Sequence, residues 1–191
     1  KLELTADKQE RDYTLQQHVY AEARYRKAQT EREILLPVQS GSMRNIQLKR
    51  NDKVISAFDI ARTMALEMGK PVGEGKAEAE KCATTCDYYA TNAERLLAPE
   101  PHETHAQKSY VRFEPPGVVF AGMPWNFPFW QVFRFAAPAL MAGNGAVLKH
   151  APNVTRCALH MEQIFREAGF PSGLFGVVLG GAEVAQHGIE G

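Results

Sequence analysis

An asparagine lies in an unusually stiff turn in the second half of the chain. Asn126 is flanked by Trp125 and by Phe127 and Pro128, within the segment MPWNFP at residues 123–128. Prolines fix the backbone and aromatic rings exclude water, so the Asn126 amide becomes a fixed hydrogen-bond donor. Such a donor stabilises the oxyanion that forms when a carbonyl group is attacked. From the residue alone, an asparagine that merely caps or turns the chain is an equally good interpretation.

Two cations lie in apolar surroundings. Lys149 ends the short apolar run that begins at Ala146, which is typical of a buried strand, and a charge there is costly unless it reaches water or a partner. Its ammonium suits the ribose hydroxyls or phosphate of a nucleotide, although many strands end in a lysine whose head reaches solvent. Arg134 lies in an otherwise apolar stretch, where a guanidinium suggests a carboxylate partner from the protein or from a ligand. A structural salt bridge is the commoner explanation of such an arginine.

The cysteines are better explained as small core residues than as metal ligands, disulfides or redox groups. The chain has three of them, and their spacing fits neither a disulfide framework nor a zinc site, so no metal is expected. Cys82 and Cys86 lie four residues apart on a predicted helix, which favours two small buried residues over a redox pair. So few cysteines are typical of a reducing cytoplasm.

The predicted secondary structure is mainly helical in the first half of the chain and alternates between strands and helices in the second half. Helices are predicted over 14–36, 54–68 and 74–97, the second with Phe58, Ala61, Ala65 and Met68 on its inner face. A linker is predicted over 98–105, where the sequence reads APEPHETH, and an exposed strand over 109–113. Buried strands over 118–123, 146–149 and 174–179 then alternate with helices over 129–142 and 155–168, and a short helix follows Gly181.

This order predicts an α/β fold in which N-terminal helices precede a Rossmann-like parallel βαβαβ unit. We assign residues 1–101 to the helical part, 102–116 to a linker and strand, and 117–191 to the βαβαβ part. Ligands bind beyond the carboxyl ends of the strands of such a sheet. MPWNFP follows the first strand and LKHAPN, residues 148–153, follows the second, so the two segments border one cleft if those strands are neighbours. The chain contains no G-x-G-x-x-G fingerprint.

Composition excludes several function classes. Lys and Arg together number 22, equal to Asp and Glu, so there is no electrostatic argument for nucleic acid or for an anionic membrane. No apolar run approaches the roughly 20 residues that span a bilayer. The polar residues at the N-terminus, of mixed charge, do not resemble a secretory signal.

Five motifs together resemble the aldehyde dehydrogenase family. They are EMGKP (67–71), PWNFP (124–128), PALMAGN (138–144), LKHAPN (148–153) and EAGFPSG (167–173), and they occur in the family's order at compatible spacing. The stretch from PWNFP to LKHAPN looks most like the succinate semialdehyde dehydrogenase branch. The resemblance implies a partial aldehyde dehydrogenase fold, with the family's catalytic domain, general-base glutamate and nucleophilic cysteine beyond Gly191.

The resemblance also implies a role for each matching residue. Asn126 is expected to be the oxyanion donor, and Arg134 is expected to hold the distal carboxylate of the substrate. Lys149 matches the lysine that contacts the adenosine ribose. The expected cofactor-binding set consists of Met123, Pro124, Trp125, Asn126, Lys149, His150 and Pro152. Cys157 lies where the family has no nucleophile and is expected to be a small helix residue.

Cofactor and partners follow from the same resemblance. Many members that prefer NAD carry an acidic residue where this chain has Pro152, so NAD is expected but NADP is not excluded. The strand over 109–113 matches part of an oligomerisation hairpin, which implies a homo-oligomer in the full-length enzyme. We therefore expect a portion of an enzyme that oxidises a small aldehyde, with succinate semialdehyde the expected substrate. The alternative is a non-catalytic module that binds a nucleotide or pairs with a full-length subunit.

Overall fold

The computed structural model describes residues 40–46, 55–106 and 109–190. A helical turn over residues 40–44 opens the described part of the chain. It buries Met43, and Ile46 just beyond it, in the common core. The helix predicted over 14–36 lies outside the described residues.

Two helices follow and form a hairpin. Helix α1 (Ala57–Met68) begins with a capping box, in which Ser56 and Asp59 each satisfy the other's backbone amide. It ends at Gly69, whose φ of 75° is the left-handed conformation that glycine adopts without strain. Pro71 then serves as N-cap of helix α2 (Val72–Leu96). Both predicted helices are thereby confirmed, with ends shifted by at most three residues.

The predicted inner face of α1 was partly wrong. The structure buries Ile60, Ala61, Thr63 and Met64, whereas the side chain of Phe58 is 53% exposed. The ammonium of Lys76 on α2 lies 5.3 Å from the centre of the Phe58 ring. An ammonium over the face of an aromatic ring is a favourable contact, so Phe58 is engaged by α2 without entering the core.

A short hairpin follows α2. Strand β1 (Glu100–Pro101) pairs antiparallel with strand β2 (Tyr110–Val111). The predicted strand over 109–113 is therefore present over two residues, whereas the segment predicted to be a linker contains the partner strand. Pro101 lacks a backbone N–H group, which fits a strand that pairs on one side only.

The second half is the predicted parallel α/β unit. Strand β3 (Val118–Met123), helix α3 (Pro128–Met141), strand β4 (Gly145–His150), helix α4 (Thr155–Glu167), strand β5 (Phe175–Val178) and helix α5 (Ala182–Glu190) follow in order. A 3₁₀ turn, Pro152–Val154, precedes α4. The strands pair in parallel in the order β3-β4-β5. This arrangement confirms the predicted fold class.

One apolar core joins the two halves. Helices α3 and α4 pack against the sheet, and α2 packs on α3 while α1 packs on α4. At the centre, the rings of Phe133 and Phe165 stack with centroids 5.2 Å apart, and Phe175 lies 4.4 Å from Phe165. Cys82 and Cys86 are both fully buried in this core, as predicted. Among the described residues, no helix is both long and apolar enough to cross a bilayer.

Candidate active site at the carboxyl edge of the sheet

The two segments singled out in the sequence meet at one edge of the sheet. In the β3–β4 pair, Gly122 lies opposite Lys149 and Met123 lies opposite His150. The backbone N–H of Ala151 also donates to the carbonyl oxygen of Met123, at 3.0 Å. The strands are therefore neighbours that end together, and MPWNFP and LKHAPN lie side by side at this edge of the sheet, where ligands bind in parallel α/β folds.

The Asn126 segment is short, exposed and anchored at both ends. Trp125 is 50% exposed and Phe127 is 47% exposed, and Asn126 between them is also exposed. Upstream, Met123 is tied into the sheet; downstream, Pro128 begins α3. Phe127 is the N-cap of α3 and forms no side-chain cap, so Asn126 does not cap that helix. The flanking rings therefore leave Asn126 exposed, contrary to the expectation that they exclude water from it.

A buried ion pair holds the start of α3. One carboxylate oxygen of Glu78, on α2, accepts hydrogen bonds from the backbone N–H groups of Phe129 and Trp130, each at 2.9 Å. The other oxygen pairs with the ammonium of Lys70, and both side chains are nearly inaccessible to solvent. That ammonium also lies 3.9 Å from the centre of the Phe127 ring. A carboxylate at a helix N-terminus satisfies free amides and complements the helix dipole.

The sequence analysis did not identify Glu78. A signal was present, because Glu78 precedes Cys82 and Cys86 by one and two helical turns on the buried face of α2. A carboxylate on an otherwise apolar face requires partners. The sequence did not indicate which partners, since Glu78 and Phe129 are separated by 51 positions.

His150 is buried, and the backbone engages both of its ring nitrogens. Nδ1 accepts from the N–H of Ala151 at 2.8 Å, which leaves Nε2, 3.0 Å from the carbonyl oxygen of Pro128, to donate its proton there. Burial lowers the pKa of His150 below its usual value of 6.5, so the neutral ring is favoured. In this geometry His150 ties the end of β4 to the start of α3.

Lys149 is available to a ligand. Its residue is 8% exposed, and among the described residues no hydrogen bond or ion pair engages its ammonium. Gly122, opposite it on β3, has open space where a side chain would begin. Pro152, three positions further on, is exposed. A buried cation beside an open glycine suits the sugar hydroxyls or phosphate of a nucleotide, so these residues fit the expected cofactor.

Glu183 brings a negative charge near this edge. Its carboxylate accepts from the backbone N–H of Gly181 at 2.8 Å, at the start of α5. The pKa of Glu183 is lowered, first by the hydrogen bond from its own backbone N–H, then by that of Gly181, with a smaller contribution from Lys149. The sequence analysis did not identify Glu183.

Arg134 lies on the solvent side of α3 and is the one exposed residue of that helix, all of which the structure describes. The expected protein carboxylate is not among its contacts within the described residues. A guanidinium that projects into solvent remains open to a carboxylate from a ligand.

None of the three thiols is suited to nucleophilic attack. Cys82, Cys86 and Cys157 are all buried. Burial is the largest cause that raises the pKa of each, and the carboxylate of Glu67 raises that of Cys157 further. A buried thiol with a raised pKa does not form the reactive thiolate.

Comparison with known proteins agrees with this geometry. The family model described as "Aldehyde dehydrogenase family" matches residues 23–190. A Synechocystis protein named as a probable succinate-semialdehyde dehydrogenase, NADP(+), is 56% identical over 127 residues, which cover 66% of this chain and 28% of that relative. A Mycobacterium avium succinate-semialdehyde dehydrogenase, NADP(+), is 53% identical over 126 residues, covering 64% of this chain and 27% of the relative.

A solved structure extends the likeness to nearly the whole chain. The crystal structure of succinic semialdehyde dehydrogenase from Streptococcus pyogenes, in complex with NADP+, superimposes with a TM-score of 0.83 at 29% sequence identity. The match covers 99% of this chain and 40% of that one. The chain thus spans between about a quarter and two fifths of the proteins it matches. Because the family model covers most of its residues, the chain belongs to the aldehyde dehydrogenase family.

Proposed function

We propose that this chain is the cofactor-side portion of a succinate-semialdehyde dehydrogenase that uses NADP+. The observation that carries the proposal is the convergence of Asn126 and Lys149 at the carboxyl ends of two adjacent parallel strands. The curated relatives named for this activity support the choice of substrate. Their names also support NADP+ over the NAD expected from the sequence, and Pro152 agrees, since no carboxylate there repels a 2′-phosphate.

In the complete enzyme, the nicotinamide nucleotide supplies the hydride acceptor. The chain's own residues prepare the site for that chemistry. The Asn126 amide donates to the aldehyde oxygen as negative charge develops on it, and Lys149 donates to the nucleotide's sugar or phosphate oxygens. Met123, Pro124, Trp125, His150 and Pro152 line or support the cofactor side of the cleft. A nucleophilic thiol would come from residues other than these 191, because the three thiols here are buried and unreactive.

The substrate's second functional group would be bound by Arg134. Succinate semialdehyde carries a carboxylate at the end away from the aldehyde, and a planar guanidinium pairs with a carboxylate through two parallel hydrogen bonds. The exposed position of Arg134 on α3, the helix that follows the Asn126 segment, supports this role.

Assembly and location complete the proposal. The β1–β2 hairpin has exposed residues on both strands, which supports a role in joining copies of the enzyme into a homo-oligomer. Three free thiols support a reducing compartment, the cytoplasm. Light scattering on the purified complete enzyme tests the first statement, because a monomer would contradict it.

The central test uses a complete enzyme that contains these residues. This is either the native longer polypeptide or a chimera in which they replace the matching part of the Synechocystis relative. Asn126→Ala is expected to lower kcat with succinate semialdehyde and NADP+ by about 10²–10³-fold, because removing one oxyanion donor costs that much. Asn92→Ala is the matched control, since among the described residues Asn92 bonds to Tyr88 and Arg95, both on α2. An unchanged kcat in the Asn126 variant would refute the proposed role.

A further inference from the structure

The residues that follow Asn126 are held by side chains from two separate parts of the fold. Lys70 contacts the ring of Phe127, and Glu78 accepts from the amides of Phe129 and Trp130. His150 bonds the carbonyl oxygen of the intervening Pro128. Four consecutive residues, 127–130, are therefore each fixed by a contact with a side chain distant in sequence.

These contacts leave only a short span of three residues between two anchored segments. On the upstream side, Met123 is fixed by its pairing with β4 and by the hydrogen bond from Ala151. On the downstream side, fixation begins at Phe127. Only residues 124–126 lie between the two anchored ends, and Pro124 restricts one of them further. The position of Asn126 is thus set by its anchors more than by contacts of its own.

We propose that Glu78, with Lys70 as its partner, is a positioning residue for the Asn126 amide. The inference rests on the proposed function, because it assigns Glu78 a role in the same oxyanion site. A hydrogen-bond donor helps a transition state only when it is held in place before charge develops, so that no reorganisation is required during the reaction. Glu78 supplies that restraint by fixing the first turn of α3. Lys70 pairs with the buried carboxylate and lies over the ring of Phe127.

Two double variants separate positioning from general stability. Lys70→Met/Glu78→Gln removes both charges but keeps a carbonyl oxygen that accepts from the amides of Phe129 and Trp130. Lys70→Met/Glu78→Met has a side chain of similar length and volume without the acceptor. Because neither variant leaves an unpaired buried charge, both are expected to fold. They differ in the hydrogen bonds to α3 and in the side-chain NH2 group that only the Glu78→Gln variant carries.

The first readout is amide hydrogen exchange by mass spectrometry on the complete enzyme, followed in peptides that cover residues 125–133. Exchange is expected to be at least tenfold faster in the Glu78→Met double variant than in the Glu78→Gln double variant. Equal exchange in the two would overturn the inference at its first step, whether or not the enzyme oxidises aldehydes.

The second readout is steady-state kinetics on the same proteins. The Glu78→Met double variant is expected to lose about tenfold or more in kcat relative to the Glu78→Gln double variant, with KM for the aldehyde changed less than threefold. When Asn126→Ala is added to both, the difference in kcat is expected to shrink below twofold, because Glu78 acts through Asn126.

The outcomes distinguish this inference from the proposed function. Faster exchange with equal kcat in the two double variants would overturn the positioning role, as would a kcat difference that persists without Asn126. A wild-type enzyme that fails to oxidise succinate semialdehyde would refute the proposed function, and the catalytic role of Glu78 with it. In that case the exchange data alone decide whether Glu78 fixes α3.

Discussion

The guanidinium of Arg134 allows a test of substrate identity. Arg134→Met keeps the length of the side chain and removes its charge. A hydrogen-bonded charge pair contributes about 1.5–3 kcal/mol, so KM for succinate semialdehyde is expected to rise by roughly 10- to 100-fold. KM for propanal, which has no carboxylate, is expected to stay within threefold. Arg62→Met, at an exposed position of α1, is the control. Equal changes for both aldehydes would mean that Arg134 does not bind the carboxylate.

Because His150 is buried, we expect the free energy of unfolding to depend on pH. Its pKa in the folded chain is lowered, chiefly by burial, below the value of 6.5 that it has when exposed. As pH falls through 6.5, the unfolded chain binds the proton first, so the free energy of unfolding decreases, by at most about 1.4 kcal/mol per pH unit. The loss levels off below the folded-state pKa, and above about pH 7.5 this group has no effect.

Urea titrations of dilute 191-residue chain at pH 7.5, 6.5 and 5.5 measure this dependence. His150→Asn is expected to have the shallower decrease between pH 7.5 and 5.5. The pKa of His160 is also lowered by burial, so His160→Asn removes a separate part of the same slope. Carboxylates with lowered pKa, such as Asp59, affect stability only at lower pH. A slope in His150→Asn equal to that of the wild type would contradict the buried neutral histidine.

Among the elements, α1 and α2 pack so closely that one glycine is required between them. A Cβ atom on Gly75 would lie 2.8 Å from the Cα atom of Ala61, closer than real atoms approach. Gly73 lies in the same helix, and a Cβ atom added there would have no other atom within 4 Å. Gly75→Ala is expected to lower the free energy of unfolding by about 1–3 kcal/mol because it forces the helices apart.

Gly73→Ala is the matched control and is expected to act in the opposite direction. Alanine restricts the unfolded chain and favours helix, so a gain of about 0.4–1 kcal/mol is expected. Urea titration of both variants gives the two changes. If Gly75→Ala is as stable as the wild type, the helices can separate without cost and the close contact is not structurally required.

The same elements show what sequence reasoning can predict. Strands β3, β4 and β5 were predictable because short apolar runs stand between glycines and prolines, and α4 was predictable because its apolar residues recur at helical spacing. Strand β1 was not predictable, since two residues including Pro101 carry no periodic signal. Phe58 lies outside the core beside the Lys76 ammonium of a second helix, a contact that one helix's pattern cannot reveal.

The candidate site likewise contains features that the sequence predicted and others that it did not. Asn126 and Lys149 were predictable because the carboxyl ends of adjacent parallel strands meet, and the chain order placed both residues there. The hydrogen bonds that Glu78 accepts from Phe129 and Trp130 were not predictable, because these partners lie 51 and 52 positions away. The contact exists only after α2 packs on α3. His150 was expected to bind cofactor. That role stays a prediction, and the structure shows that both ring nitrogens bond to backbone atoms of the segments beside it.

At the scale of the whole molecule, the described residues form a sheet of three strands with β3 and β5 at its edges. Large apolar side chains are also exposed, including Leu66 at 69% and Ile189 at 78%. Unpaired strand edges and apolar surface favour association with other chains. We therefore expect the isolated 191-residue chain to form oligomers or aggregates at about 50 µM in sedimentation velocity, and to bind a hydrophobic dye.

Leu66→Lys/Ile189→Lys distinguishes the two causes of this association. If apolar side chains are responsible, the double variant sediments with a smaller associated fraction; if strand edges are responsible, the fraction stays the same. If the remaining portion of the Synechocystis relative covers the same edges and surface, co-expression with it is expected to give a single uniform species. A wild-type chain that sediments alone as a 21.3 kDa monomer would contradict the prediction, since a self-sufficient fold would need no further chain to cover it.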